Sequence, residues 1–269
     1  MDVLIIIYLG VIGACFGSFA LAVADRLRNQ KDWVRGRSEC DSCHRQLSAR
    51  DLIPILSWTL ARGRCRHCGV GLSPMYPLAE IALSAIFVIS YIFWPIELSD
   101  LISYSQFAVW LCALVLMCIL FIYDLRWFKL PFKIVNPLIG LGVVWAILDG
   151  VQQGFSSGLI INYILGILVG AGVFQLLYSL SSGRWIGDGD IRLGFAIGLF
   201  AGSPLEAWLV IFTASILGLL LAAPSVLKTK TKRMKLKMPF GPPLLLALWL
   251  CVLFGAQIIE WYKVNVLYL

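Results

Sequence analysis

Runs of about twenty apolar residues recur from end to end of this 269-residue chain, and few sequence features limit a fold more severely. Coiled as a helix, such a run spans the roughly 30 Å of hydrocarbon in a bilayer. Runs of this kind are read at 3–24, 76–96, 105–123, 133–149, 158–180, 191–203, 205–226 and 240–261, the sixth being short. Composition agrees, with 60% hydrophobic and 14% charged residues and a mean hydropathy of +0.87, whereas roughly a quarter of residues in soluble domains are charged. The expected fold is an all-α polytopic membrane protein of about eight transmembrane helices.

Lys and Arg fall in alternate loops: Arg26 to Arg66, then Arg126, Lys129 and Lys133, then Arg184 and Arg192, then Lys228 to Lys237. The intervening loops, Pro95 to Tyr104, Gly150 to Ser157 and Gly202 to Glu206, carry none, and only Lys263 breaks the pattern. The positive-inside rule makes the basic loops cytoplasmic and places the N-terminus outside. The formal charge of +7 then belongs to anionic lipid headgroups. No basic patch interleaved with aromatics points to nucleic acid. Residues 4–24 lack a preceding basic region and are followed by arginines, so they read as a retained helix, not a signal peptide. No repeat of the two halves points to a duplicated transporter.

Residues 25–75 form the one sizeable polar segment, an insert between the first two helices that is too small to bury much of a core unaided. It holds Cys40-Asp41-Ser42-Cys43 and Cys65-Arg66-His67-Cys68. Each C-x-x-C turn brings two thiolates to one ion, so Cys40, Cys43, Cys65 and Cys68 suit a tetrahedral zinc. With four sulfurs the shell is closed and the zinc is structural. Cytoplasmic placement disfavours disulfides, and a redox C-x-x-C would not come duplicated in so short a loop. His44 and His67 adjoin the knuckles and read as neighbours rather than ligands. Cys15, Cys112, Cys118 and Cys251 lie within spans as packing residues. The chain thus divides into a first helix (1–24), the four-cysteine insert (25–75) and a seven-helix core (76–269).

Two carboxylates stand at the edges of apolar runs, where charge is costly and seldom placed without a task. Asp124 follows the third run, and Asp190 opens the sixth within Gly187-Asp188-Gly189-Asp190. Both fall on the same membrane face. Paired carboxylates that share a proton can activate water and polarise a scissile carbonyl, so Asp124 and Asp190 are expected to be catalytic. Gly187 and Gly189 would admit close backbone approach. The plainer alternative is a helix-start loop in which Asp188 or Asp190 caps the next helix, and Asp188 is the internal rival to Asp190.

Taken as an ordered series, these residues resemble the type IV prepilin leader peptidases, GxGD-type intramembrane aspartyl proteases. The resemblance runs through Gly17-Ser18-Phe19 with Asp25-Arg26, and through the cysteine pairs enclosing Asp51-Leu52-Ile53-Pro54-Ile55-Leu56-Ser57-Trp58. It continues in Tyr76-Pro77-Leu78-Ala79-Glu80, Asp124 with Leu130-Pro131, Gly187 to Leu193, and Pro239-Phe240-Gly241-Pro242. It implies removal of the basic leader of prepilins and pseudopilins at the cytoplasmic membrane face. By motif position Asp124 and Asp190 match the family's catalytic pair, with Pro239, Phe240, Gly241 and Pro242 near the active site. Many members also methylate the new N-terminus with S-adenosylmethionine. Leu21, Met75 and Arg184 depart from the commonest pattern, so the resemblance implies peptidase activity and leaves that second cofactor open. Asp25-Arg26 and Asp51 to Pro54 look more like the enzymes of Gram-positive bacteria, including those serving competence pili.

Two other functions remain to be separated. In a proton-coupled transporter Asp124 and Asp190 would carry protons, but midplane placement and repeated spans would be expected. A non-catalytic pilus-assembly factor would use the cysteine insert for docking and leave both aspartates without a role.

Overall fold

A computed structural model describes residues 3–32, 36, 38–40, 42–228 and 239–267. Asp41 of the first knuckle and residues 229–238 of the last basic loop lie outside the described residues. The chain forms two compact units, residues 1–92 and 93–269. The described residues are helical apart from loops and two isolated bridges.

In the first unit α1 (Val3–Arg28) packs along α3 (Met75–Ile92), with the insert and its short α2 (Leu56–Leu60) between them in sequence. The α1–α3 contact depends on small residues, as expected where lipid removes the hydrophobic drive for helix association. A Cβ on Gly13 would fall 2.8 Å from the Leu83 carbonyl oxygen, and one on Gly17 2.5 Å from that of Ala79. Cys40 and Cys65 each open an identical turn. Cys40 N–H donates to Arg45 O and His44 N–H to Cys40 O; Cys65 N–H donates to Val70 O and Gly69 N–H to Cys65 O.

The second unit contains α4 (Leu101–Trp127), α5 (Phe132–Gln153), α6 (Ser157–Ser181), α7 (Asp188–Ala201), α8 (Pro204–Lys228) and α9 (Gly241–Tyr262). Helix α7 sits between α5 and α6, and α9 packs on α4 and α8. Close approach of α6 and α7 uses paired small-xxx-small faces: Cβ atoms on Gly170 and Gly194 would each overlap the other's carbonyl oxygen, and one on Gly198 would overlap Ile167. Toward the far ends of the helices Trp94, Trp110, Trp145 and Phe200 form an aromatic core with ring centroids 5.7–6.3 Å apart. Nearby on the helix ends, Tyr163 donates to Asp149 across 2.9 Å.

Among the described residues seven helices are long and apolar enough to cross a membrane: α1, α3, α4, α5, α6, α8 and α9 with its extension. The sixth expected span is α7, whose 14 residues reach only about 21 Å. Asp124 lies inside the last turn of α4, not after it. Hydropathy ends at the charge, but the helix ends at Phe128, a left-handed cap at φ 54° whose N–H returns to Asp124 O.

Candidate active site and metal centre

The insert gathers Cys40, Cys43, Cys65 and Cys68 so that all four Sγ atoms lie within 4.8 Å of one another. Cys40 and Cys68 sulfurs are 3.8 Å apart, which is the edge of a tetrahedron with metal–sulfur bonds of about 2.3 Å (about 3.8 Å). The donor set therefore fits a metal ion of that geometry. Backbone N–H groups of Cys68 and His67 hold the Cys65 thiol down at about 7, whereas at Cys68 the Val70 N–H is outweighed by burial and the Cys65, Cys43 and Cys40 sulfurs, which raise that thiol to about 11. Among the described residues neither His44 nor His67 joins the group. His44 instead occupies the left-handed turn position, φ 53°, that Gly69 fills in the second knuckle at φ 72°. Asp51 braces the insert: it accepts from the Ser48 hydroxyl at 2.7 Å and pairs with Arg66 at 3.4 Å.

In the second unit Asp124 is 5% exposed at the end of α4. Its Oδ2 accepts the N–H of Gly241, 3.0 Å away at the start of α9. Asp190, half-buried in the first turn of α7, turns Oδ2 back to the N–H of Gly187 at 3.2 Å. The capping role weighed as the plainer reading is thus present, and it orients the carboxylate. Leu130, on the loop joining α4 to α5, lies against Gly189, beside Asp190, and Gly241, beside Asp124. A Cβ on Gly189 would fall 2.8 Å from Leu130 Cβ, and a Cβ on Gly241 would fall 3.3 Å from Leu130 Cδ2 and 2.5 Å from Asp124 Oδ2. Glycine is required at both positions by close approach.

The remaining expected residues take supporting places. Gly187 caps α7 as described, and Pro242 is buried in the first turn of α9. Phe240 stacks edge-on against Phe174 at 6.2 Å. Pro239 is half-buried just before it. Asp188 is exposed and paired with Arg192 at 3.4 Å, one turn along α7, while the Arg192 guanidinium lies 4.0 Å over the Phe132 ring. Leu130 was not singled out as a site residue; its signal was the Leu130-Pro131 pair after Asp124. Glu80, 5% exposed, was also missed: its Oε2 accepts Ile55 N–H at 2.6 Å.

A polytopic helical membrane protein with one carboxylate in the last turn of a helix, another in the first turn of a second helix, and a four-thiol centre in a loop is a narrow class. A family model for the bacterial peptidase A24 N-terminal domain matches residues 11–94, and one for the type IV leader peptidase family matches residues 110–223. The prepilin leader peptidase/N-methyltransferase of Aeromonas hydrophila is 31% identical over 232 residues, 86% of this chain and 76% of the relative. That of Dichelobacter nodosus is 31% identical over 224 residues, 82% and 72% of the two chains. The Bacillus subtilis (strain 168) protein of the same name is 28% identical over 252 residues, 94% and 95%. No solved structure matches the chain. The chain belongs to the prepilin leader peptidase family and is a membrane peptidase that processes prepilins.

Proposed function

We propose that this chain hydrolyses the leader of type IV prepilins and pseudopilins by an aspartyl mechanism, with Asp124 and Asp190 as the catalytic pair. The observation that carries this reading is that one oxygen of each carboxylate is held by a backbone N–H, with Leu130 packed against both Gly189, next to Asp190, and Gly241, which holds Asp124. Two carboxylates that repel share one proton. The ionised member takes a proton from water, while the protonated member donates a hydrogen bond to the scissile carbonyl. Water attacks directly, and the same proton store serves the leaving amine. Gly187, Gly189 and Gly241 keep backbone close to the carboxylates, and Pro239, Phe240 and Pro242 form a break at the start of α9 where an extended substrate strand can lie.

The basic residues beside this site, Arg126, Lys129, Lys133, Arg184 and Arg192, put it at the cytoplasmic face by the positive-inside rule. In this topology the N-terminus lies outside, α7 is the sixth and shortest of eight crossings, and the peptidase core is 76–269 with the insert at 25–75. Cys40, Cys43, Cys65 and Cys68 would hold zinc, which folds the insert; its closed shell offers no position for water. N-methyltransferase is part of the names of the relatives, and S-adenosylmethionine would be the methyl donor for that second activity. The test is the mass and N-terminal sequence of a prepilin treated with purified enzyme and methyl donor. Loss of the leader supports the peptidase reading, and an added methyl group supports the second activity. An intact prepilin with folded enzyme would contradict the peptidase reading.

A further inference from the structure

The stretch Leu52–Leu60 takes no part in metal binding or in the chemistry of the carboxylates, yet its backbone is strained at Ile55. Ile55 sits at φ 63°, ψ −52°, and Leu56 N–H closes a three-residue turn onto Pro54 O at 2.6 Å. This is the disfavoured hand of that turn, occupied by a β-branched residue. Such a conformation persists only where the surroundings over-determine it. Here Glu80 does so, taking the Ile55 N–H on a buried carboxylate at 2.6 Å. Glu80 is the sixth residue of α3, about 7.5 Å along that span from its first residue. The turn is therefore fixed at the depth of the second turn of a membrane helix.

What the turn presents is apolar. Leu52, Ile53, Leu56 and Leu60 are 45%, 47%, 59% and 74% exposed. A ridge of this kind on a small polar insert is a docking surface. Its position limits the occupant: it contains Ile55, which is tied to the second turn of the membrane helix α3, and exposed Arg50, Arg62 and Arg64 flank it, matching anionic headgroups.

We propose that Leu52–Leu60 is a membrane-interfacial anchor that inserts Leu52, Ile53, Leu56 and Leu60 into the headgroup–acyl boundary of an anionic bilayer. Such segments bury their apolar face about 5–10 Å into that boundary. The Glu80–Ile55 bond sets the depth, the strained turn redirects the chain along the surface, and the four-thiol centre is held beside the membrane. The anchor does not depend on the peptidase chemistry.

The test uses the full chain in phosphatidylcholine–phosphatidylglycerol vesicles, with a keto amino acid at position 60 carrying a nitroxide. A label at position 45, in the first knuckle, serves as the control. Collisions with oxygen should exceed those with a water-soluble nickel chelate at position 60 and not at position 45. Glu80→Ala should raise the nickel collisions at position 60 severalfold while metal content stays unchanged. Nickel collisions that match the control would overturn the anchor. Shielding from both reagents would also overturn it, since the ridge would then be covered by protein, whether a second copy or a substrate helix.

Discussion

Gly241 N–H, at the start of α9, donates to Asp124 Oδ2 in the last turn of α4 across 3.0 Å. This bond joins residues 117 positions apart and leaves no room for a side chain. Gly241→Ala should therefore push Asp124 out of place and lower kcat about 100-fold, the scale expected for an ångström of misplacement. Helicity by circular dichroism should be retained. Unchanged kcat would show that the bond does not position the carboxylate.

Gly189 and Leu130 should behave as a coupled pair, because a Cβ on Gly189 meets Leu130 at 2.8 Å. Gly189→Ala alone is expected to cut activity at least about tenfold, and adding Leu130→Gly, which removes the Cβ it meets, to return part of it. Kinetics of the two single variants and the double variant measure the coupling. Additive losses would show that the two residues act apart.

Much of this site was legible in sequence because its signals are local. The C-x-x-C spacing sets each knuckle turn whatever the rest of the chain does, and an aspartate at the edge of an apolar run is conspicuous by its cost. Gly241 over Asp124 was not legible as a contact, for nothing near either residue records the other. The strained turn at Ile55 was hidden because Glu80, which holds it, lies 25 residues on. Helix α4 ran past its apolar stretch because a left-handed cap at Phe128, not hydropathy, ends it.

His44 supplies a test of the knuckle geometry. It occupies a left-handed position that Gly69 fills in the other knuckle, and a side chain there costs roughly 1 kcal/mol relative to glycine. His44→Gly should keep the metal stoichiometry of the wild type and bind the metal at least as tightly. Cys40→Ser should instead release it, as metal analysis of purified protein would show. Loss of metal in His44→Gly would make the histidine a ligand.

Asp100 caps α4 by accepting from Ser103 N–H at 3.0 Å, and the Ser103 hydroxyl and this N–H hold its carboxyl below the usual carboxylate value. A value lowered by folding means that the ionised form stabilises the fold. The contribution is full above about pH 4, the ordinary carboxylate value, and is lost as pH falls through the lowered one. The Tm of the wild type should exceed that of Asp100→Asn at neutral pH and converge with it in acid. A constant difference would mean that the charge is not what stabilises the cap.

If Asp124 and Asp190 act as one proton-sharing unit, prepilin cleavage by purified wild type, Asp124→Asn, Asp190→Asn and the double variant will show it. Each single variant should lose as much activity as the double, because groups acting together fail together. Retained cleavage in either single variant, or losses that multiply, would contradict the shared pair.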